Sequence, residues 1–199
     1  MSDRIYQGMT PEERLADRRE RLIDAGFALY GTLGFTSTTI EKLCMIARIS
    51  NRAFYECFAT REELLEVIYH RCVEQSVQVA SQAAAQAPRT LEGVLEAGIE
   101  AYIRFITDDP RRAQIMYVER AKASTAYLAE TVQMNAAAFF QVAGADLDLP
   151  DTVDPGMAAR GLNGAMESIL LEWVTAEDPF PIEQVIASVK HVFLRTLTP

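Results

Sequence analysis

Residues 46–58 read IARISNRAFYECF, and the reading of these thirteen residues decides the fold. Ser50 is a helix-capping residue, and Ile49 before it and Phe54 after it stand at the positions of a hydrophobic staple. On a helix from Ser50, Ile49, Ala53, Phe54, Cys57 and Phe58 group toward a core, while Asn51, Arg52, Tyr55 and Glu56 fall on the other side. Such a helix either reads DNA or is a short buried helix with a solvated polar face. Two features oppose the first reading. The chain has a formal net charge of −9, the wrong sign for a polyanion, and Arg48 occupies a tight turn where Gly would be preferred.

Working outward, TSTTIEKLCMIA (36–47) precedes the stretch. Thr38 and Glu41 are spaced as a capping box, and Ile40, Leu43, Cys44 and Ala47 line one face of a short helix. The two helices make a helix-turn-helix over 39–58, a motif whose second helix enters the major groove. The exposed set suits that task. Arg takes a bidentate hold on guanine, Asn on adenine, and Glu accepts from cytosine. The hydroxyls of Thr38, Thr39, Ser50 and Tyr55 suit phosphate oxygens, as do the cations of Arg48 and Arg61. Tyr55 is the sharpest clue, because a large aromatic on a polar face calls for a partner.

Charge ceases to be an objection once it is located. Residues 1–70 hold nine Lys/Arg and eleven Asp/Glu, a net of −2, whereas residues 71–199 hold ten and seventeen, a net of −7. Binding follows local rather than total charge, so a near-neutral head can present one basic face.

Helical signals continue on both sides. Thr10-Pro11-Glu12-Glu13 combines a capping Thr, Pro at the first helical position and Glu three residues after the cap. An apolar stripe from Leu15 to Leu33 follows, stopped by Gly34. Thr60 and Glu63 open a helix running to about Pro88, and further helices are expected over 91–107, 110–121, 124–145, 154–175 and 181–196. An acidic linker, GADLDLPDTVDPG (144–156), divides the last three. No strand alternation appears, so the expected fold is all-α with about nine helices. Its division is a DNA-binding domain over 1–60 and a helical effector-binding and dimerisation domain over 61–199.

Residues from about 20 to 69 resemble the tetracycline-repressor (TetR/AcrR-type) family of bacterial transcriptional regulators. The run FALYGTLGFTSTTIEKLCMIARISNRAFYECFATREELLEVI (27–68) carries the resemblance, through Gly34-Phe35, Thr38-Thr39, Ser50, Tyr55, Phe58, Arg61 and Leu64-Leu65. It departs from the family pattern at Arg48, usually Gly, and at Cys44, usually Ala. The resemblance implies a homodimer whose N-terminal heads bind a pseudo-palindromic double-stranded DNA operator. It also implies a C-terminal pocket whose small-molecule effector releases that operator.

The C-terminal half suggests where these features sit. Ala158, Gly161, Ala165 and Ser168 form a stripe of small residues, and Val185, Val189 and Phe193 an apolar stripe on the last helix, together a candidate dimer interface. Tyr102, Phe105, Met116, Tyr117, Phe139 and Trp173 are candidate pocket residues, suited to an apolar or aromatic effector because few charges are expected inside.

Other classes find little support. Cys44, Cys57 and Cys72 form no C-x-x-C pair, and with His70 they match no compact metal motif. No G-x-S-x-G, P-loop or H-E-x-x-H occurs, so neither an enzyme nor a bound cofactor is expected. No apolar run reaches about 18 residues, and the N-terminus lacks the apolar core of a signal peptide. A cytoplasmic protein is expected. The alternative to DNA binding is a helix-turn-helix used only for protein contacts.

Overall fold

The structure, a computed structural model, describes residues 9–123 and 154–197. Over these residues the protein is all-α, with no strand. The helix expected over 124–145, most of the acidic linker and Phe139 lie outside the described residues.

The chain folds as α1 (Pro11–Tyr30), α2 (Ile40–Ala47), α3 (Asn51–Cys57), α4 (Arg61–Gln86) and α5 (Leu91–Asp108). A continuous helical run, α6, then joins an α-helical turn Pro110–Ala113, a π-helical segment Gln114–Glu119 and a second α-helical turn Arg120–Ala123. Helices α7 (Pro155–Thr175) and α8 (Ile182–Leu197) complete the described fold.

Local signals set the helix starts. Thr10 accepts from the Glu13 N–H at 3.2 Å while Glu13 accepts from the Thr10 N–H at 2.7 Å, closing the expected box reciprocally. Thr60 accepts from the Glu63 N–H at 3.1 Å, and Glu63 reaches one residue further back, to the Ala59 N–H at 2.6 Å. At α2 the cap shifts by one residue and the expected Thr38–Glu41 box is not the one used. Thr39, not Thr38, is the cap, accepting from the Lys42 N–H at 3.3 Å.

One hydrophobic core runs from the helix-turn-helix through α4 into α5, α6 and α8. Leu22, Leu43, Phe54 and Phe58 fill the head, Leu64, Ile68 and Tyr69 continue along α4, and Ile103, Ile106 and Phe193 fill the far end. Burial of this kind contributes about 25 cal/mol per Å² of apolar surface, far more than the caps do. Helix α1 ends at Tyr30, three residues before the expected stop, and Gly34 supplies its positive φ of 81° in the turn that follows.

Val185, Val189 and Phe193 are buried within their own chain, which corrects their expected place on a dimer interface. Helix α8 turns its apolar stripe onto α5, so Glu183, Gln184, Ala187, Ser188, His191 and Val192 face outward instead. On α7, Gly161 and Ser168 are exposed and Ala158 and Ala165 half-buried. A Cβ built at Gly161 or Gly164 would meet nothing within 4 Å, so the subunit's own packing does not require glycine there.

Candidate nucleic-acid interface

Helix α3 is held by one face and exposed on the other. Phe54 and Phe58 are buried, and the Phe54 ring packs edge-on to Tyr55 with centroids 5.5 Å apart. Asn51 and Arg52 are exposed, and Tyr55 is 61% exposed despite its size. Ser50 caps the helix by accepting from the Ala53 N–H at 3.2 Å, which leaves its hydroxyl hydrogen to donate outward. Thr39 caps the start of α2 in the same way, and its hydroxyl donates to the Glu41 carboxylate beside it.

The turn between α2 and α3 resolves the question posed by Arg48. Its backbone is left-handed (φ 55°, ψ 49°), the only non-glycine residue with positive φ among those described. The Ile49 N–H reaches back to the Cys44 carbonyl at 3.0 Å, a Schellman-type closure normally served by glycine. The strain is about 1–2 kcal/mol, tolerated because the Arg48 side chain stands in solvent.

Two expected phosphate contacts are used inside the head. Thr38 is fully buried and its hydroxyl donates to the Gly34 carbonyl at 2.8 Å, so it closes the α1–α2 turn and offers no surface hydroxyl. Arg61 is half-buried, with Nη1 donating to the Phe35 carbonyl at 3.3 Å and to the Thr38 carbonyl, and its guanidinium 4.7 Å from the Phe35 ring centre. Arg61 ties the start of α4 to that turn.

The candidate interface extends beyond the helix-turn-helix. Arg14, Arg18 and Arg21 of α1 line an open groove with Arg48, Arg52 and Glu56. Arg14 donates to the Met9 carbonyl just before its own helix at 2.7 Å, whereas Arg21 donates to the Ala47 carbonyl at 3.2 Å and Arg19 to the Cys57 carbonyl at 2.9 Å, so these last two cations tie α1 to the helix-turn-helix. The signal was present in the sequence, since positions 14, 18 and 21 are spaced i, i+4, i+7 on one helix face. Five arginines around one groove form the basic patch that the charge count hides.

Cys44, Cys57 and Cys72 are all free thiols. Burial pushes all three up from the usual thiol value, Cys72 to about 11, so they are neutral packing groups.

The expected effector residues separate in space. The Tyr102 and Tyr117 hydroxyls are 2.8 Å apart, and Met116 is buried beside Tyr117. Phe105 is covered by the Arg112 guanidinium, 4.0 Å from its ring centre. Trp173 lies elsewhere, in a surface groove between α7 and α8 with Ile169, Phe180 and Val185. The expectation of an interior poor in charge is also corrected. Glu119 and Arg120 are buried at the end of the π segment, and Arg120 donates to the Tyr69 hydroxyl at 3.1 Å and pairs with Glu167.

Glu119 connects this interior to the head. Its Oε2 accepts the Phe35 N–H at 2.7 Å, and its Oε1 accepts from Gln114 at 2.7 Å and Lys122 at 2.9 Å. Burial alone would raise its pKa, but the Phe35, Lys122 and Gln114 hydrogen bonds outweigh that and hold it below the usual carboxylate range. A Cβ on Gly34 would come within 3.2 Å of this carboxylate.

Among the described residues, no helix is long and apolar enough to cross a membrane. No protein-family model matches the chain, and neither does any curated protein. Solved structures do. The fatty acid degradation regulator FadR of Bacillus halodurans superimposes with a TM-score of 0.72 at 14% identity, over 91% of this chain and 96% of its own. A TetR-family transcriptional regulator from Streptomyces coelicolor does so with a TM-score of 0.69 at 20% identity, over 94% and 82%. For the TetR-family regulator PfmR of Thermus thermophilus the TM-score is 0.59 at 20% identity, over 90% and 100%. The chain has the fold of the TetR-family transcriptional regulators.

Proposed function

We propose that this protein is a homodimeric, sequence-specific DNA-binding transcriptional regulator, a repressor released from its operator by a small molecule. The observation that carries the reading is the outer face of α3. Asn51, Arg52 and Tyr55 stand exposed on a helix anchored by Phe54 and Phe58, beside a groove lined by five arginines. Arg52 and Asn51 supply base-edge donors and acceptors, while Arg48, Ser50, Thr39 and Tyr55 face the backbone. Thr38 and Arg61 have no part in it, being engaged in the turn.

A second copy is required by the geometry of a two-half-site operator. Its place is the outer face of α7 and α8, where Met157 (70% exposed), Leu171 and Val192 flank the small residues Gly161, Gly164 and Ser168. The effector is assigned to the interior beside Tyr102, Met116 and Tyr117. The Arg120–Glu167 pair there favours a ligand with a polar group on an otherwise apolar or aromatic body.

The test is an unbiased selection of DNA sites at low salt with the purified protein, followed by binding measurements on the enriched site. A pseudo-palindrome bound with steep salt dependence supports the reading. Failure to enrich any site would replace it with a helix-turn-helix that makes only protein contacts.

A further inference from the structure

Glu56 lies on the reading face, yet both its oxygens are turned toward arginines of the same head. Its Oε2 accepts from Arg18 Nη1 of α1 at 2.9 Å, and its Oε1 is 3.5 Å from Arg52 Nε, one helical turn back on α3. The Arg52 side chain is 91% exposed and has no other partner among the described residues, whereas Arg18 and Glu56 are each partly sheltered in the groove. A guanidinium is planar and presents two donor edges. Nε is the Arg52 nitrogen paired with Glu56, at 3.5 Å, and the edge away from the carboxylate is the one formed by the two Nη groups.

Resting on the DNA-binding reading above, we propose that Glu56 is a positioning residue for base readout. It aims the Nη edge of Arg52 at a guanine, and Arg18 in turn holds Glu56 in place and masks its charge from the phosphates. An exposed pair at this spacing adds little to stability, so the consequence assigned to it is orientation. The competing role for the same carboxylate, direct acceptance from a cytosine amino group, requires it to leave both arginines.

A double-mutant cycle separates the two. Binding of the full-length protein is measured to its selected site and to every single-base variant of it, for wild type, R52A, E56Q, R52A/E56Q and R18A. R52A is expected to lower the guanine preference at one position per half-site by about tenfold. E56Q is expected to lower the preference at that same position by about threefold, and to have no further effect in the R52A background. R18A should reproduce the E56Q profile. Because E56Q removes a negative charge, its affinity for random DNA should rise while its discrimination falls, a combination that misfolding does not produce. Three results would overturn the proposal: loss of preference at a separate cytosine position, full additivity with R52A, or an unchanged E56Q profile. If wild type selects no site at all, the DNA-binding reading itself fails, which is a different outcome from a selected site with an unaltered E56Q profile.

Discussion

Arg52 on α3 and Arg120 at the end of the π segment are the same residue type in opposite circumstances. Arg52 stands 91% exposed, with Glu56 at 3.5 Å its one partner among the described residues. Arg120 is 5% exposed, its guanidinium shared between Tyr69 of α4 and Glu167 of α7. The residue before it, Glu119, is fully buried and directed the other way, onto the Phe35 N–H in the turn of the head. Two consecutive residues thus hold the helix-turn-helix and the C-terminal helices to one segment. The Arg120 N–H bonds to the Ile115 carbonyl, a π-helical hydrogen bond at this point of the run. The Arg52 charge stands in solvent with one long ion-pair contact. Charge in α6 is consumed in fixing geometry, where a lost partner would leave a buried polar group unsatisfied.

The comparison breaks most visibly if exposed charge proves structural. Replacing both Arg52 and Tyr55 by Ala should weaken operator binding by about a thousandfold or more, with the urea midpoint and the dimer unchanged. Fluorescence anisotropy on the selected site, paired with sedimentation, checks both halves. A large drop in stability would place these side chains with Arg120, not apart from it.

The converse substitution is Glu119→Ala. It leaves the Phe35 N–H buried without an acceptor and opens space under Gly34, so it should cost about 3 kcal/mol in urea unfolding. Operator affinity should fall with it, since the turn that Glu119 holds leads into α2. Preserved stability would show that water replaces the carboxylate.

Acid titration sharpens the same point. Glu119 is held below the usual carboxylate value, so its stabilising share is present above that value and lost as pH falls through its lower folded pKa. Asp109, lowered by its hydrogen bond from Arg111, and Glu100, lowered by Lys190 and then Arg104, act in the same direction. Stability in urea should therefore decline as pH is taken below about 4.5, and Glu119→Gln should flatten the curve. An unchanged slope in that variant would remove Glu119 from the account.

What the sequence shows and what it hides follow from range. Capping at Thr10, Ser50 and Thr60 depends on neighbours three or four residues away, and each is found where the spacing puts it. Thr38 and Thr39 are equally good caps locally. The choice between them is made by the Gly34 turn, which takes the Thr38 hydroxyl. Arg61 looks like a phosphate contact because nothing in its own helix shows that the Phe35 and Thr38 carbonyls converge on it. Periodicity marked Val185, Val189 and Phe193 as an apolar stripe without saying that α5, rather than a second subunit, covers it. Glu119 gave no signal at all, its partner Phe35 being 84 residues away. The exposed face of α3 was the most legible, because exposure of a large aromatic and an arginine on one face needs no distant partner.

Arg48 lies between the two kinds of charge, since its backbone is strained for the fold while its side chain is free for a ligand. Arg48→Gly should relieve about 1 kcal/mol of left-handed strain. Some of that gain is offset by the greater freedom of glycine in the unfolded chain, so the net change in the urea midpoint should be small and upward. The same substitution removes a cation from the arginine groove. If Arg48 meets a phosphate, operator affinity should fall uniformly across sequences and the salt slope should drop by about one per head. Higher stability with weaker, less salt-dependent binding would show that this turn carries strain in exchange for a backbone contact. Higher stability with unchanged binding would leave Arg48 as a strained turn residue and confine phosphate contact to the arginines of α1.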